Sequence, residues 1–311
     1  MSGVQTCALP ISATVTRPGS VALPAKKLLD LCEQFVNTDV TIREMDGAVR
    51  ITCGSFSSRL QSLPVDDFPL PPPVEGLSLV LPAAVRTLIA QTAYAISANT
   101  TKYVLDGALL DLTVDHEAAM AATDGQRLAL STMPYTGPVW SGVIPSRALG
   151  ALAAFGGDED VAFTVGERHL FFVVGERVLI SRMLEGKFPA YRRMLPEGVD
   201  RTLRVDRSVF AAALRRVEVV ADHDAGVSLT ITPTHLSLSA RSVDTGDAVE
   251  EMPVVYDGEP LTARLSGASL LDFLNAAKGT EITLAIKDGT TPFVCTDEGD
   301  RFLNVLMPRG E

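Results

Sequence analysis

The sequence predicts an α+β protein built from repeated half-units, each a helix followed by short antiparallel strands. Two observations carry this. A helix-opening segment recurs as Leu23-Pro24-Ala25-Lys26-Lys27-Leu28-Leu29, Ile144-Pro145-Ser146-Arg147-Ala148-Leu149 and Leu265-Ser266-Gly267-Ala268-Ser269-Leu270-Leu271, with starts 121 residues apart in both intervals. A second kind of start, Leu81-Pro82 and Val205-Asp206, recurs after 124 residues. Such a period is too long for a solenoid unit and suits a small domain. The first type occurs three times and the second twice, so two halves make one domain and one half stands alone. The expected division is a foreign or disordered leader over residues 1–18, a half domain over 19–75, and complete domains over 76–198 and 199–311.

The first helix starts at Pro24, a favoured first-turn residue, and shows an apolar stripe through Leu28, Leu29, Leu31, Cys32 and Phe35. Asn37 and Thr38 end it. Val40–Arg43 and Ala48–Thr52 read as strands around Met45-Asp46-Gly47, a hairpin signal. A third strand over Ser57–Ser62 leads into Phe68-Pro69-Leu70-Pro71-Pro72-Pro73, where prolines stop strand and helix alike. The helix opened by Leu81-Pro82 places Val85, Leu88, Ile89 and Ala93 on one face. Strands are expected over Tyr103–Leu105, Ala108–Val114, Ala118–Thr123 and Arg127–Met133. The helix after Val205-Asp206 runs through Leu214, Val217 and Val220, ahead of strands over Val227–Thr232, His235–Ala240 and Ala248–Val255. An amphipathic helix must bury a stripe and a half-solvated sheet one face. Two halves therefore pair with helices beside helices and sheets outside. Such domains in a row form an arc, which a symmetric partner can close into a ring.

The bulk composition fits this. Hydrophobic residues make up 46% and aromatics only 6%, so the cores are aliphatic. The net charge of −11 argues against a protein that coats itself non-specifically with nucleic acid. Cys7, Cys32, Cys53 and Cys295 show no Cys-x-x-Cys spacing, the usage of a reducing cytoplasm without zinc or disulfides. No apolar run approaches the ~20 residues that span a bilayer.

Catalytic signatures are missing. His116, His169, His223 and His235 have no metal-ligand spacing, and there is no P-loop, dinucleotide fingerprint or nucleophile elbow. Asp158-Glu159-Asp160 and Thr123-Asp124-Gly125 read as turns before they read as a metal or acid site. The helices carry a different signal. Eight cations (Lys26, Lys27, Arg86, Arg147, Arg207, Arg215, Arg216, Lys278) stand against five acids (Asp30, Glu33, Asp206, Glu218, Asp272) in an acidic chain. A mildly basic helix side meets phosphates without reading bases.

Four strings name a family. Tyr103-Val104-Leu105-Asp106-Gly107, Ala122-Thr123-Asp124-Gly125-Gln126-Arg127-Leu128-Ala129, Leu184-Glu185-Gly186-Lys187-Phe188-Pro189-Ala190-Tyr191-Arg192-Arg193 and Leu306-Met307-Pro308 resemble the bacterial sliding clamp, the β subunit of DNA polymerase III. The resemblance runs from Gly19 to Pro308. It implies the DNA-clamp fold: a head-to-tail homodimer ring with helices lining the hole and sheets outside. The implied role is a non-catalytic processivity factor without cofactors that encircles duplex DNA in the cytoplasm. It would tether the polymerase III catalytic subunit, the clamp loader and other clamp-binding-motif proteins through a peptide groove.

Carried over by the resemblance, that groove takes in Leu105, Thr123, Gly125, Gln126, Arg127, Leu128, Pro189, Arg193, Met194, Val305, Leu306, Met307 and Pro308. Its apolar members offer walls, and methionine adapts to varied ligands; Arg127 and Arg193 would rim it and bond the peptide. DNA contacts would come from Asn99, Lys102 and Tyr103, with Arg147 and Arg215 from the helices. The chain departs from the family pattern at Gln126, where histidine is usual, at Ser266 and Ser269 on the groove edge, and in the residues after Pro308. The first half of the first domain is also missing from the pattern, so the sequence reads as N-terminally truncated. The dimer contact would join Ser57–Leu60 to the region of Val219 and Val220, and Ser58 falls where a large apolar side chain is expected. The alternative reading is a clamp fragment that binds peptides and closes no ring.

Overall fold

The computed structural model describes residues 4–8, 13–36, 39–68, 71–98, 103–199, 201–222, 226–299 and 301–310. It forms two compact units, one of residues 10–73 and one of residues 1–9 with 74–311. Strand β1 (Val4–Ala8) opens the chain. The smaller unit holds α1 (Ala25–Cys32) and the meander β2 (Val40–Met45), β3 (Ala48–Cys53) and β4 (Phe56–Gln61). Four half-units of one design follow. The first is β5 (Leu77–Leu81), α2 (Val85–Thr92), β6 (Gly107–Asp111), β7 (Glu117–Thr123) and β8 (Arg127–Pro134). The second is β9 (Ser141–Pro145), α3 (Ser146–Ala154), β10 (Val161–Val165), β11 (His169–Val174) and β12 (Arg177–Arg182). The third is β13 (Arg201–Asp206), α4 (Arg207–Glu218), β14 (Val227–Ile231), β15 (His235–Ser242) and β16 (Gly246–Pro253), with a short β17 (Val255–Tyr256). The fourth is β18 (Leu261–Leu265), α5 (Gly267–Ala276), β19 (Glu281–Ile286), β20 (Phe293–Asp297) and β21 (Phe302–Leu306).

The strand before each helix was not foreseen, because Leu81-Pro82 and Val205-Asp206 read as helix starts. These strands decide how halves join. Each half lends its first strand to its mate: β5 pairs with β10 and β9 with β6, then β13 with β19 and β18 with β14. Where β14 begins beside β18, Gly226 has φ +71, and a Cβ there would meet the Leu265 carbonyl oxygen at 2.4 Å. Only glycine combines that conformation with that approach.

The exchange closes one core per domain. In the first, Leu81, Leu88, Ile89, Leu149, Leu152, Phe163 and Phe172 are fully buried, with the two phenylalanine rings stacked at 4.7 Å. In the second, Phe210, Leu214, Phe273, Leu274 and Phe293 do the same work. Asp206 caps α4 by accepting from Val209 N at 2.9 Å, and Ser266 caps α5 from Ser269 N.

A further pairing fuses the two domains. β21 runs antiparallel to β8, with Val305 opposite Leu128 and Leu306 opposite Arg127. The result is one nine-stranded sheet in the order β17-β13-β19-β20-β21-β8-β7-β6-β9. The repeat makes β12 the counterpart of β21, and β12 carries β1 on its outer edge through Ala8 opposite Val178. Residues 4–8 therefore take the place beside β12 that β8 takes beside β21. Residues 4–8, within the stretch read as a foreign or disordered leader, are thus paired along a sheet edge, where the backbone groups make the bonds.

Two smaller readings also change. Tyr103–Leu105 is a 3-10 turn, not a strand. Asn37 and Thr38, expected to end the first helix, lie outside the described residues. The predicted hairpin stands: Met45 pairs with Ala48 across Asp46-Gly47, with Gly47 at φ +64. In the smaller unit α1 buries no residue and every residue of β2 is exposed, while Ala48, Val49 and Ile51 are fully buried.

Candidate peptide groove and DNA face

The β8–β21 seam brings together residues about 180 positions apart in sequence. Strand alternation then sorts them. Leu128 and Val305 point to the face away from the helices and pack with Leu105, Leu109, Phe188 and Tyr191, with Met194 at the margin. Leu105, Leu128 and Val305 are at most 5% exposed, so they form a floor rather than open walls. Leu306 points the other way, into the core of the second complete domain. Pairing stops at Met307, whose N–H donates to the Gln126 carbonyl at 3.1 Å.

At that point the surface opens. Gln126, Ser266, Ser269, Leu306, Met307, Pro308, Arg309 and Gly310 line a cavity of about 510 Å³. Met307 is 49% exposed, a large apolar side chain held on the surface by a strand end. Gln126, Leu306, Met307 and Pro308 of the predicted groove thus meet Ser266 and Ser269. Pro189 and Arg193 are exposed on the neighbouring segment, where Tyr191–Met194 forms a 3-10 turn.

The turn from Thr123 to Arg127 is built by its own side chains. Thr123 Oγ1 donates to the Arg127 carbonyl at 2.5 Å and accepts from Gly125 N at 3.1 Å. Asp124 Oδ1 accepts from Gln126 N and Arg127 N, and Gly125 has φ +97. Asp124 is turn chemistry, as the sequence suggested. Arg127 differs from expectation. Its Nε donates to Asp124 Oδ2 at 3.0 Å, its Nη1 to Asp272 Oδ2 at 2.6 Å and its Nη2 to the Tyr94 carbonyl at 2.6 Å. The guanidinium lies 5.3 Å from the Tyr94 ring centre. A planar fork with five donors suits such a junction. Each of its three nitrogens makes a bond inside the protein, so Arg127 braces the turn that borders the cavity.

The predicted DNA residues are only partly placed. Asn99 and Lys102 lie outside the described residues, as does His223, and Tyr103 opens the 3-10 turn that ends at Leu105. Arg147 is exposed on α3, and Arg215 is exposed on α4 with Nη2 donating to Asn275 Oδ1 on α5 at 2.6 Å. The eight helical cations do not all face solvent. Arg86 donates to the Glu159 carbonyl at 2.7 Å, and Arg207 to the carbonyls of Gly279 and Leu274 near the end of α5. Arg216 holds Glu250 on β16 through both carboxylate oxygens. With Arg215 on Asn275 and Lys278 donating to Thr87 Oγ1 at 3.4 Å, five of the eight hold partners within the protein, and the basic side is weaker than the count implied. Among the described residues no three His, Cys, Asp or Glu side chains gather as a metal site.

The comparisons agree on one family. The family model of the DNA polymerase III beta subunit central domain matches residues 80–190, and that of its C-terminal domain matches residues 192–309. The chain belongs to the DNA polymerase III beta subunit family, the bacterial sliding clamps. The beta sliding clamp of Synechococcus elongatus is 33% identical over 98% of this chain and 84% of its own length. That of Caulobacter vibrioides is 31% identical over 95% of this chain and 84% of its own. Among solved structures, a sliding clamp from Bartonella birtlesii bound to griselimycin has a TM-score of 0.90 at 30% identity, covering 97% of this chain and 84% of that one. A Pseudomonas aeruginosa clamp with ligand has a TM-score of 0.88 at 26% identity, covering 97% and 85%. The clamp fold and the role of a processivity factor follow from this membership.

Sequence reasoning missed the supports of the groove. Tyr94, Asp111 and Asp272 carry no motif, and Tyr191, though part of one family string, gave no sign of its bond to Asp111. The one legible trace of Asp272 is its spacing on α5: Ser266, Ser269 and Asp272 recur every three residues, which puts them on one helix face.

Proposed function

We propose that this clamp pairs head to tail with a second copy around duplex DNA, and that it carries replication proteins through short peptides seated between Gln126 and Ser269. The observation that carries this reading is the opening of the cavity where β21 leaves β8, with Met307 exposed at its edge. An apolar anchor entering there gains burial without disturbing the packed floor of Leu105, Leu128 and Val305. The partners in this reading are the polymerase III catalytic subunit, the clamp loader and other proteins with clamp-binding motifs.

DNA contact is sequence-independent and weak, through Arg147 and Arg215 together with Asn99, Lys102 and Tyr103. Weak contact suits a ring that must slide, and the acidic body discourages side-on binding. The ring contact uses sheet edges. β4 is an edge strand of its sheet, β16 is an edge of its own, and Val219 near β16 is 81% exposed. In this reading the clamp is a non-catalytic tether, and Asp124 serves its turn, with both carboxylate oxygens bonded there. No described helix is long and apolar enough to cross a membrane, and the reading places the clamp in the cytoplasm beside the chromosome.

The test is retention on DNA of different topology. Clamp loaded onto a nicked circular plasmid should co-elute with it in high salt and be released when the plasmid is cut. Equal retention on circular and linear DNA would count against encirclement and leave only a peptide-binding module.

A further inference from the structure

We propose that Asp272 is a positioning residue of the peptide cleft, acting through Arg127 to set the distance between its two walls. This rests on the groove reading above and goes beyond it, since neither residue lines the cavity. One wall is the turn that carries Gln126, the residue before Arg127. The other is α5, where Ser266 and Ser269 precede Asp272 by two helical turns and one. The contact from Arg127 Nη1 to Asp272 Oδ2 at 2.6 Å spans the walls directly. Arg127 is itself fixed from behind by Asp124 at 3.0 Å and by the Tyr94 carbonyl at 2.6 Å. The strut therefore has a rigid end on the first domain and a helix at the other.

Backbone pairs of β8 and β21 also tie the two sides and end at Met307. On the other side of the strut, Tyr94 packs against the core under α5 and Lys278 Nζ donates to Thr87 Oγ1 at 3.4 Å; among the described residues no strand pairing beyond Met307 joins α5 to the turn. The Arg127 side chain is 13% exposed and that of Asp272 is 43% exposed. A partly desolvated, charge-assisted bond of this kind is strong enough to hold a gap, yet exposed enough for its loss to leave the cores untouched. A cleft held at one width before a ligand arrives costs less to fill.

The test uses the full chain, with griselimycin as the probe because it is bound in the Bartonella relative. Affinity is measured by calorimetry, and Met307 amide exchange gives a readout independent of ligand. Asp272→Ala should raise the Kd about tenfold and speed Met307 exchange, with thermal unfolding of the cores little changed. Asp272→Asn, which keeps an acceptor, should recover most of the affinity. Met307→Ala serves as the control that touches the cavity itself. If Met307→Ala weakens binding while Asp272→Ala binds like the wild type, the strut is overturned and the groove stands. If neither variant changes affinity, the groove assignment falls and takes the strut's role with it. Equal loss in Asp272→Asn and Asp272→Ala, matched by a drop in thermal midpoint, would mean a merely structural residue and also overturns the proposal.

Discussion

The Tyr191 hydroxyl donates to Asp111 Oδ2 at 2.9 Å, pinning the segment that carries Pro189 and Met194 onto strand β6. Both groups are buried. Burial and the neighbouring carboxylate push the phenol up to about 12. Burial also pushes Asp111 upward, but donors from Thr113 and from Tyr191 outweigh it and hold the carboxyl below its usual value.

The two shifts have opposite signs in pH. The raised phenol adds stability that is complete below its ordinary value of about 10 and is lost as pH climbs through about 12. The lowered carboxyl adds stability that is present above the ordinary carboxylate range and is lost as pH falls through its depressed value. Tyr191→Phe should cost about 1–2 kcal/mol at neutral pH and flatten the alkaline loss of stability between about 10 and 12. Denaturant unfolding at several pH values checks this; an unchanged alkaline limb would rule out Tyr191 as its source.

Met307 should matter to ligands and little to folding. It is half exposed at the end of a strand, so Met307→Ala should change unfolding free energy by less than about 0.5 kcal/mol. Peptide affinity should fall about tenfold, as for an anchor in a small interface. Fluorescence anisotropy with a labelled clamp-binding peptide measures the second effect, and a denaturant curve the first.

Arg147 and Arg215 are exposed on α3 and α4 and are the placed candidates for phosphate contact. Replacing both by Ala should lower DNA affinity at low salt and reduce the slope of log K against log salt by roughly one per residue. A slope equal to that of the wild type would remove these helices from the DNA side.

The repeat supplies a matched pair for a stability test. Ile42 and Phe163 lie 121 residues apart at equivalent strand positions, yet Ile42 is 55% exposed and Phe163 is fully buried. Phe163→Ala should cost about 3–5 kcal/mol, while Ile42→Ala should stay within about 0.5 kcal/mol. Comparable losses from both would show that the β2 face is covered in solution.

How much was legible can be argued residue by residue. The helix starts at Pro24, Pro145 and Ser266 were visible because capping and apolar stripes are local, and three copies reinforce one another. The Asp124-Gly125 turn was visible for the same reason. The strands before each helix were not, since Leu77–Leu81 and Arg201–Asp206 are short and owe their form to partners elsewhere in the chain. Arg127 was read as a groove rim because a motif records residue type and not what the side chain reaches.

The sequence by itself determined the half-unit, its period, the family and the residues that gather at the seam, because periodicity, capping and turn chemistry are written over a few consecutive positions. Only the tertiary structure decided which of those residues are floor, edge or strut. That depends on the exchange of first strands and on the register of β8 against β21, which place Asp272 within 2.6 Å of Arg127 across 145 residues of chain. Contacts between distant segments are fixed by packing and hydrogen-bond satisfaction over the whole fold, and no local pattern encodes them.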